Sequence, residues 1–168
     1  MSRVTHPLTA VLTLALAVLA HAEGKPEDYL TKEGRLTQTL EVIDVQGGFA
    51  GFTGNAWVVE TDGKWAHYRV MNQKRDVLAK GELNKEELAA LAKVLTRNEA
   101  ANLPSKDLSK GGANPHPVTV KYGKKEGTLT LPAGEPLPKP DAQKFEGRYA
   151  GIVAAVRTIS EGKKGEEK

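Results

Sequence analysis

The chain has 168 residues, of which 39% are apolar and 27% charged, and this is the composition of one soluble globular domain. It contains no cysteine, so disulfide scaffolds, thiolate metal sites and thiol catalysis are excluded. The formal net charge is +3, from 24 basic and 21 acidic residues that are interspersed along the chain, which argues against a nucleic-acid-binding protein.

The amino terminus has the pattern of a secretory signal peptide, which we predict over residues 1–22. Arg3 precedes an apolar run from Leu8 to Ala20, and small residues occupy the two positions that signal peptidase reads. As a helix the run is too short to cross the roughly 30 Å hydrocarbon core of a bilayer. We therefore expect cleavage after Ala22 and a secreted or periplasmic chain that begins at Glu23 and has no membrane anchor.

The next part of the chain, residues 23–35, carries mixed charges and few apolar residues, so we expect a loose polar segment. A strand is predicted over residues 36–45, where Thr, Val, Ile and Leu are frequent and glycines follow. A single folded domain is predicted to extend over residues 36–160. The charged residues 161–168 have nothing apolar to bury and are predicted to form a disordered tail.

The glycine-rich stretch from Gly47 to Gly54 is the most unusual part of the sequence. Its glycines indicate left-handed turns or a bulge between two strands, with Phe49 and Phe52 folded inward beneath the loop. The alternative is a shaped loop that presents both phenylalanines to a protein partner. A phosphate-binding loop is disfavoured because a strand follows, where such a loop would open a helix. The candidate partner-binding residues here are Gly47, Gly48, Phe49, Ala50, Gly51 and Phe52.

An Asp62-Gly63 pair lies between two runs of strand-forming residues and predicts a hairpin with a two-residue turn. Such a turn pairs Trp57 with Tyr68, so both side chains are expected on the core face. Trp65 then falls on the opposite, polar face, where a chain segment covers it or it is exposed as a recognition residue. Trp65 is therefore a further candidate for partner binding. The predicted core face of the hairpin consists of Trp57, Val59, Ala66, Tyr68 and Val70.

A short strand is predicted over residues 77–83, and a helix follows it. Asn84 and Glu87 have the spacing of a capping box, so the helix is predicted to start at Lys85. It should end before Pro104, since the residue ahead of a proline resists the helical conformation. The predicted buried stripe of this helix consists of Leu88, Leu91, Ala92 and Leu95.

The last third of the chain predicts a second hairpin, a connector and a terminal helix. The hairpin turns at residues 123–127 between two alternating strands, and four prolines between Pro132 and Pro140 indicate an extended connector. We expect Asp141 to cap the terminal helix, and Gly147 and Gly151 to allow close packing on the sheet. The apolar stripe of this helix is predicted to consist of Phe145, Tyr149, Ile152, Val156 and Ile159.

These elements predict an α+β fold, with a mainly antiparallel sheet of about five to six strands and two helices packed on one face. The terminal helix is expected to dock onto the sheet face that carries Trp57, Val59 and Tyr68. The sequence has no fixed-period repeat, so solenoids and propellers are not expected.

The sequence contains no recognisable catalytic motif. His67 and His116 would be the only histidines after processing, and neither has the spacing of a metal site. No serine lies in a Gly-x-Ser-x-Gly elbow, although a serine, a histidine and a carboxylate from distant positions can still meet in a fold. We therefore expect no cofactor, no metal and no enzymatic activity.

The order of the predicted elements is itself informative. A strand ends in Gly47-Gly48-Phe49-Ala50-Gly51, and a hairpin with an Asp-Gly turn, a capped helix, a second hairpin after residues 112–115 and a terminal helix follow. This order, over about residues 36–160, resembles the emfourin family, which includes small bacterial inhibitors of thermolysin-like zinc proteases. The signal peptide, the proline-rich connector and the charged tail depart from that pattern.

The resemblance implies a non-enzymatic binding module that inhibits a thermolysin-like metalloprotease, with a protein as its partner, and the signal peptide predicts that this module is exported. The alternative is an exported accessory or structural domain that binds another protein or an envelope component. A hydrolase with dispersed catalytic residues is the third hypothesis. An exposed loop at Phe49 and Phe52 favours a binding module, whereas a deep cleft that brings His67 or His116 beside a serine or a carboxylate favours an enzyme.

Overall fold

The computed structural model describes residues 28–162. Over this range the chain has the predicted α+β fold, with seven strands in one mixed sheet and two α-helices. The predicted signal peptide, the start of the polar segment and residues 163–168 lie outside the described residues. The strands are β1 (Leu40–Gly48), β2 (Gly51–Val59), β3 (Lys64–Met71), β4 (Lys74–Glu82), β5 (Lys106–Asp107), β6 (His116–Tyr122) and β7 (Lys125–Leu131), and the helices are α1 (Lys85–Arg97) and α2 (Phe145–Gly162).

The strand order across the sheet is β4-β3-β2-β1-β6-β7-β5. Strands β1 to β4 form a meander of consecutive hairpins, and the β6–β7 hairpin pairs with the free side of β1. All these pairs are antiparallel, and only β5 runs parallel to its neighbour β7. The predicted number of five to six strands is wrong, because β5 has only two residues and is too short to give a sequence pattern.

The β2–β3 hairpin has a three-residue loop where a two-residue turn was predicted. The amide of Glu60 donates to the carbonyl oxygen of Lys64 at 2.7 Å, which leaves residues 61–63 as the loop. Gly63 closes it with a φ of 91°, a conformation that favours glycine. The extra loop residue shifts the register by one position, so that Trp57 pairs with His67.

This shift exchanges the two faces of β3 relative to the prediction. Trp65 pairs with Val59, and the two side chains are 4% and 1% exposed within the main core. Tyr68, which was predicted for the core face, lies on the opposite face and is half-buried there. The predicted placement of Trp65 on a polar face is therefore wrong, because a one-residue slip inverts every side chain of a strand.

The main core contains alternate apolar side chains of the central strands, those that point to one face of the sheet. Examples are Leu40 and Val42 on β1 and Val118 and Val120 on β6. The buried residues of both helices belong to the same cluster. The stripe of α1 is as predicted, with Leu88, Leu91, Ala92 and Leu95 buried, and α2 contributes Tyr149, Ile152, Val153 and Val156.

The start of the described chain also belongs to the core, which corrects the prediction of a loose segment for residues 28–35. Tyr29 is only 5% exposed, and its hydroxyl accepts a hydrogen bond from the amide of Ala101 at 3.1 Å. Leu30 forms an isolated bridge with Leu36. The segment is polar in composition, but Tyr29 packs in the main core and Leu30 against it, and the Tyr122 hydroxyl donates to the carbonyl oxygen of Tyr29 at 3.2 Å.

Helix α1 begins at Lys85, as the capping box predicts. The Asn84 side chain accepts from the amide of Glu87 at 2.9 Å, and the Glu87 carboxylate accepts from the amide of Asn84 at 2.8 Å. These two bonds satisfy backbone donors that the first turn of a helix would otherwise leave without partners.

Helix α2 begins later than predicted, at Phe145. Asp141 does not cap it, because its carboxylate accepts from the amide of Gln143 at 3.0 Å in a turn that precedes the helix. The two glycines of α2 allow close packing, although not against the sheet. A Cβ at Gly147 would lie 2.7 Å from the amide nitrogen of Asp141, and one at Gly151 would lie 2.8 Å from the Asn98 side chain.

A smaller cluster of Val45, Ala56 and Val70 is buried on the other face of the sheet. Arg75 of β4 donates to the carboxylate of Glu41 on β1 across this face, at 2.6 Å. The two residues lie three strands apart, so this ion pair links the edge strand β4 to the central strand β1.

The edge strand β4 contains a bulge. Tyr68 pairs with Val77 and His67 pairs with Ala79, so Leu78 is an extra residue that β3 does not match. Val77 and Leu78 are 58% and 39% exposed, which makes this bulge one of the two places where large apolar side chains reach the described surface.

Candidate functional site

The β1–β2 hairpin ends in a tight turn at Phe49 and Ala50, between the paired residues Gly48 and Gly51. The Phe49 side chain is fully exposed and Phe52 is 41% exposed. The expectation that the two phenylalanines fold inward beneath the loop is therefore wrong, because the turn projects from the sheet and no chain segment covers Phe49 among the described residues.

Three of the four glycines in this stretch have a steric explanation. A Cβ at Gly47 would lie 2.9 Å from the carbonyl oxygen of Pro115, and one at Gly54 would lie 2.7 Å from the Cα of Val45 on β1. Gly51 has a φ of 94°, which L side chains rarely adopt. Gly48 has nothing closer than 3.7 Å. Gly51 thus adopts a left-handed turn of the kind that the sequence indicated, whereas Gly47 and Gly54 allow a close packing that was not predicted.

Asn72, in the neighbouring β3–β4 turn, fixes the tip of this hairpin. Its side-chain amide donates to the carbonyl oxygen of Ala50 at 3.0 Å, and its side-chain oxygen accepts from the amide of Phe52 at 3.0 Å. The backbone of Asn72 is left-handed, with a φ of 56°, which asparagine tolerates better than most residues. Nothing in the local sequence pattern pointed to Asn72.

Met71 adds a third exposed apolar side chain at the same end of the sheet. It is 51% exposed and pairs with Thr53, the residue after Phe52. We call this surface, formed by the turn at residues 49–50, Phe52, Met71 and Asn72, the Phe49 end. Trp65 lies elsewhere, buried in the core with its indole ring 3 Å from the position of a Cβ on Gly81. It is therefore not part of an exposed binding surface.

A polar cluster lies beside the Phe49 end, on the core face of the sheet. Asp44 of β1 accepts from His116 Nε2 at 2.7 Å and from Arg157 of α2 at 2.5 Å. The side chains of Asp44 and His116 are 8% and 13% exposed. The Arg157 guanidinium lies 5.9 Å from the centre of the Trp57 ring, so apolar surface borders the cluster. Opposite charges must compensate each other at such a site.

The surroundings of Asp44 and His116 shift both pKa values in the direction that favours an ion pair. Burial alone would raise the pKa of Asp44, but the hydrogen bond from His116 and the charges of His116 and Arg157 outweigh it and lower that pKa. The hydrogen bond to Asp44 raises the pKa of His116, against the opposing effects of burial and of Arg157. Folding therefore favours the charged form of both groups.

His67, the other described histidine, is built into the core. Its ring stacks on Trp57 with centroids 4.9 Å apart, and its Nε2 lies 2.9 Å from the Asn55 side-chain oxygen. The Trp57 indole in turn donates to Ser160 at 3.1 Å. The Ser160 hydroxyl donates to the carbonyl oxygen of Arg157 at 2.9 Å, so in this geometry it has no histidine as a base.

Neither histidine lines the three clefts described next, although the second of them contains Glu135, whose carbonyl oxygen contacts His116. A half-open apolar groove of about 480 Å³ separates α1 from α2, a second cleft lies under the proline-rich connector, and a third lies on β2 to β4 near Tyr68. Within residues 28–162, no group of three or more His, Asp or Glu side chains is arranged to hold a metal ion. Over the same residues, neither helix has the length and apolar character required to cross a membrane.

Comparison of the sequence with models of known protein families and with curated proteins finds no match. The emfourin resemblance therefore stays a prediction, and any statement about function depends on the geometry of the Phe49 end and of the neighbouring polar cluster.

Proposed function

We propose that this chain is an exported, non-enzymatic binding module that inhibits a thermolysin-like metalloprotease, and that the Phe49 end is its contact surface. The observation that carries this proposal is the fully exposed Phe49 at the tip of a hairpin. Burying such a side chain against a partner contributes roughly 1.5–3 kcal/mol. A phenyl ring in water contributes nothing to the stability of the free protein, so its placement favours a role in binding.

The tip supports this role because it is held in one conformation before any partner binds. Asn72 bonds to both sides of the turn, at Ala50 and Phe52. The Gln46 side chain donates to the carbonyl oxygen of Asn114 at 2.6 Å, and the amide of Gly47 donates to Pro115 at 2.7 Å. A preorganised loop loses little conformational entropy on binding, which leaves more of the contact energy for affinity.

The proposal includes the packing of both helices on one face of the sheet. Their buried stripes share one cluster with Leu40 and Val42, whereas the cluster around Ala56 on the other face contains no helical residue. A helical layer on that single face leaves the Phe49 end accessible.

The non-enzymatic part of the proposal is supported by the state of the two histidines. Both ring nitrogens of His116 already have protein partners, the Asp44 carboxylate and the carbonyl oxygen of Glu135. His67 is stacked against Trp57 and 8% exposed. A general base needs a free nitrogen within reach of a substrate, which favours a structural role for His116.

The test is inhibition of thermolysin by the chain from residue 23 to residue 168. We expect inhibition by the unaltered chain, and a loss of about thirtyfold in affinity for Phe49→Ala, equivalent to about 2 kcal/mol. The unfolding free energy of this variant should change by less than about 0.5 kcal/mol, since the side chain is fully exposed. Val77→Ala is the matched control, because it also removes an exposed apolar side chain, at the bulge of β4.

Three results would contradict the proposal in different ways. If the unaltered chain leaves the protease active, the alternative of an exported accessory or structural domain replaces the inhibitor. If Phe49→Ala inhibits as well as the unaltered chain, the contact surface lies elsewhere. If Val77→Ala loses as much affinity as Phe49→Ala, the loss is not specific to the Phe49 end.

A further inference from the structure

The contacts of His116 define its protonation state by geometry alone. Its Nε2 lies 2.7 Å from a carboxylate oxygen of Asp44, and its Nδ1 lies 2.7 Å from the main-chain oxygen of Glu135. Both partners are acceptors. A neutral imidazole has one N–H and can satisfy only one of them, whereas the imidazolium ion donates to both. The observed arrangement is therefore that of a charged histidine.

The second of these contacts holds the proline-rich connector, residues 132–140, which we call the strap. Its four prolines have no amide hydrogen, so few backbone bonds can attach it to the sheet. The amide of Gly134 donates to the Gln46 side chain at 3.3 Å, and Leu137 packs partly buried against the core. The bond from His116 to Glu135 is shorter and charge-assisted, so it is the stronger polar attachment.

We propose that His116 is a pH-operated latch that holds the strap against β1 and β6 as an imidazolium and releases it when the ring loses one proton. The remaining N–H stays with Asp44, because a carboxylate is a better acceptor than a carbonyl group. The lone pair of Nδ1 then faces the carbonyl oxygen of Glu135 across a contact that no longer contains a proton. The two electron-rich atoms repel each other, and the strap moves away near Glu135.

The groups around His116 determine the direction of the switch. Asp44 of β1 stabilises the charged ring and Arg157 of α2 opposes it, while the strap contributes the carbonyl group of Glu135. On β7 the residue opposite His116 is the apolar Leu131. The net effect raises the pKa of His116 above the ordinary value near 6.5, so the latch is closed in acid and opens as the pH rises through that raised pKa. This inference does not depend on any partner of the Phe49 end.

The test is an NMR titration of the ¹⁵N-labelled chain, residues 23–168, from about pH 5 to about pH 9.5. We expect both ring nitrogens of His116 to be protonated at the acidic end, with a midpoint above about 6.5. The amide signals of Gly134 and Glu135 should shift with the same midpoint, and their heteronuclear NOE values should fall above it as the strap becomes mobile. Lys124, in the turn at the opposite end of the sheet, is the internal control and should show neither change.

The variant His116→Gln should remove the titration of the strap signals, because glutamine has no charged form. If it does not fold, the titration of the unaltered chain still decides the question. A His116 that carries one proton at the acidic end would overturn the proposal, and so would strap amides that titrate without gaining mobility. Persistence of the same transition in His116→Gln would assign it to another group and would also overturn the latch.

Discussion

The substitution Ile152→Ala tests whether α2 contributes its predicted stripe to the main core. Ile152 is fully buried in the middle of α2, within the cluster that also contains Leu40 and Val42 of β1. The substitution removes three carbon atoms and keeps the helix, since alanine has the highest helix propensity.

The expected cost has two parts. Loss of three buried carbon groups accounts for about 2.4 kcal/mol at roughly 0.8 kcal/mol each. The cavity adds more when the surroundings cannot collapse, and Ile→Ala substitutions in cores cost about 2–5 kcal/mol in total. A sheet of seven paired strands cannot easily move to fill the cavity, so we expect Ile152→Ala to lower the unfolding free energy by about 4 kcal/mol. Ile159→Ala is the matched control, because it removes the same atoms from a half-buried side chain and should cost about 1–2 kcal/mol.

The measurement is urea unfolding of both variants and of the unaltered chain, with the slope of the transition compared among them. An unchanged slope means that the difference in midpoint reports stability. A loss below about 0.5 kcal/mol for Ile152→Ala, or equal losses for the two variants, would refute the assignment of Ile152 to the core.

Two further predictions concern the strand beside the Phe49 end and its polar cluster. Gly54→Ala should abolish stable folding, because a Cβ would lie 2.7 Å from a backbone atom of β1. Gly48→Ala is the control: its Cβ would have no atom closer than 3.7 Å, so the unfolding free energy should change by less than about 0.5 kcal/mol. The midpoints of urea unfolding separate these outcomes. Folding lowers the pKa of Asp44 and raises that of His116. Their pairing therefore stabilises the folded state fully from about pH 4 to about pH 6.5. This stabilisation is lost as the pH falls through the folded pKa of Asp44 or rises through the folded pKa of His116. His116→Gln should therefore cost more unfolding free energy at about pH 5.5 than at about pH 9.5, and a cost that is the same at both pH values would contradict the pairing.

The parts of the fold that were predicted correctly are those that depend on interactions between residues close together in the sequence. The capping box at Asn84 and the stripe of α1 depend on residues three or four positions apart, and both are confirmed. The β2–β3 hairpin was predicted, but its register was not. Asp62-Gly63 is compatible with either a two-residue or a three-residue loop, and the longer loop inverted the placement of Trp65 and Tyr68.

The candidate site was only partly predictable for the same reason. Phe49 was a candidate because a solvated glycine-rich loop does not need phenylalanine, and the structure exposes its side chain fully. The pair of Asp44 and His116 joins residues 72 positions apart, and only the pairing of β1 with β6 brings them together. No spacing rule covers such a pair. Asn72 was missed because its role depends on a turn that lies beside the tip in space and not in sequence.

The bulge in β4 affects how the protein behaves among copies of itself. A regular outer strand offers a row of free amide and carbonyl groups on which another chain can assemble, and nine residues are long enough for this. The extra Leu78 breaks that row at its centre, and a twisted, interrupted strand is a poor template for edge-to-edge aggregation. Charged side chains flank the interruption on both sides, at Lys74, Arg75, Asp76, Lys80 and Glu82. The two exposed apolar residues, Val77 and Leu78, thus lie on an edge strand whose pairing with other chains is impeded.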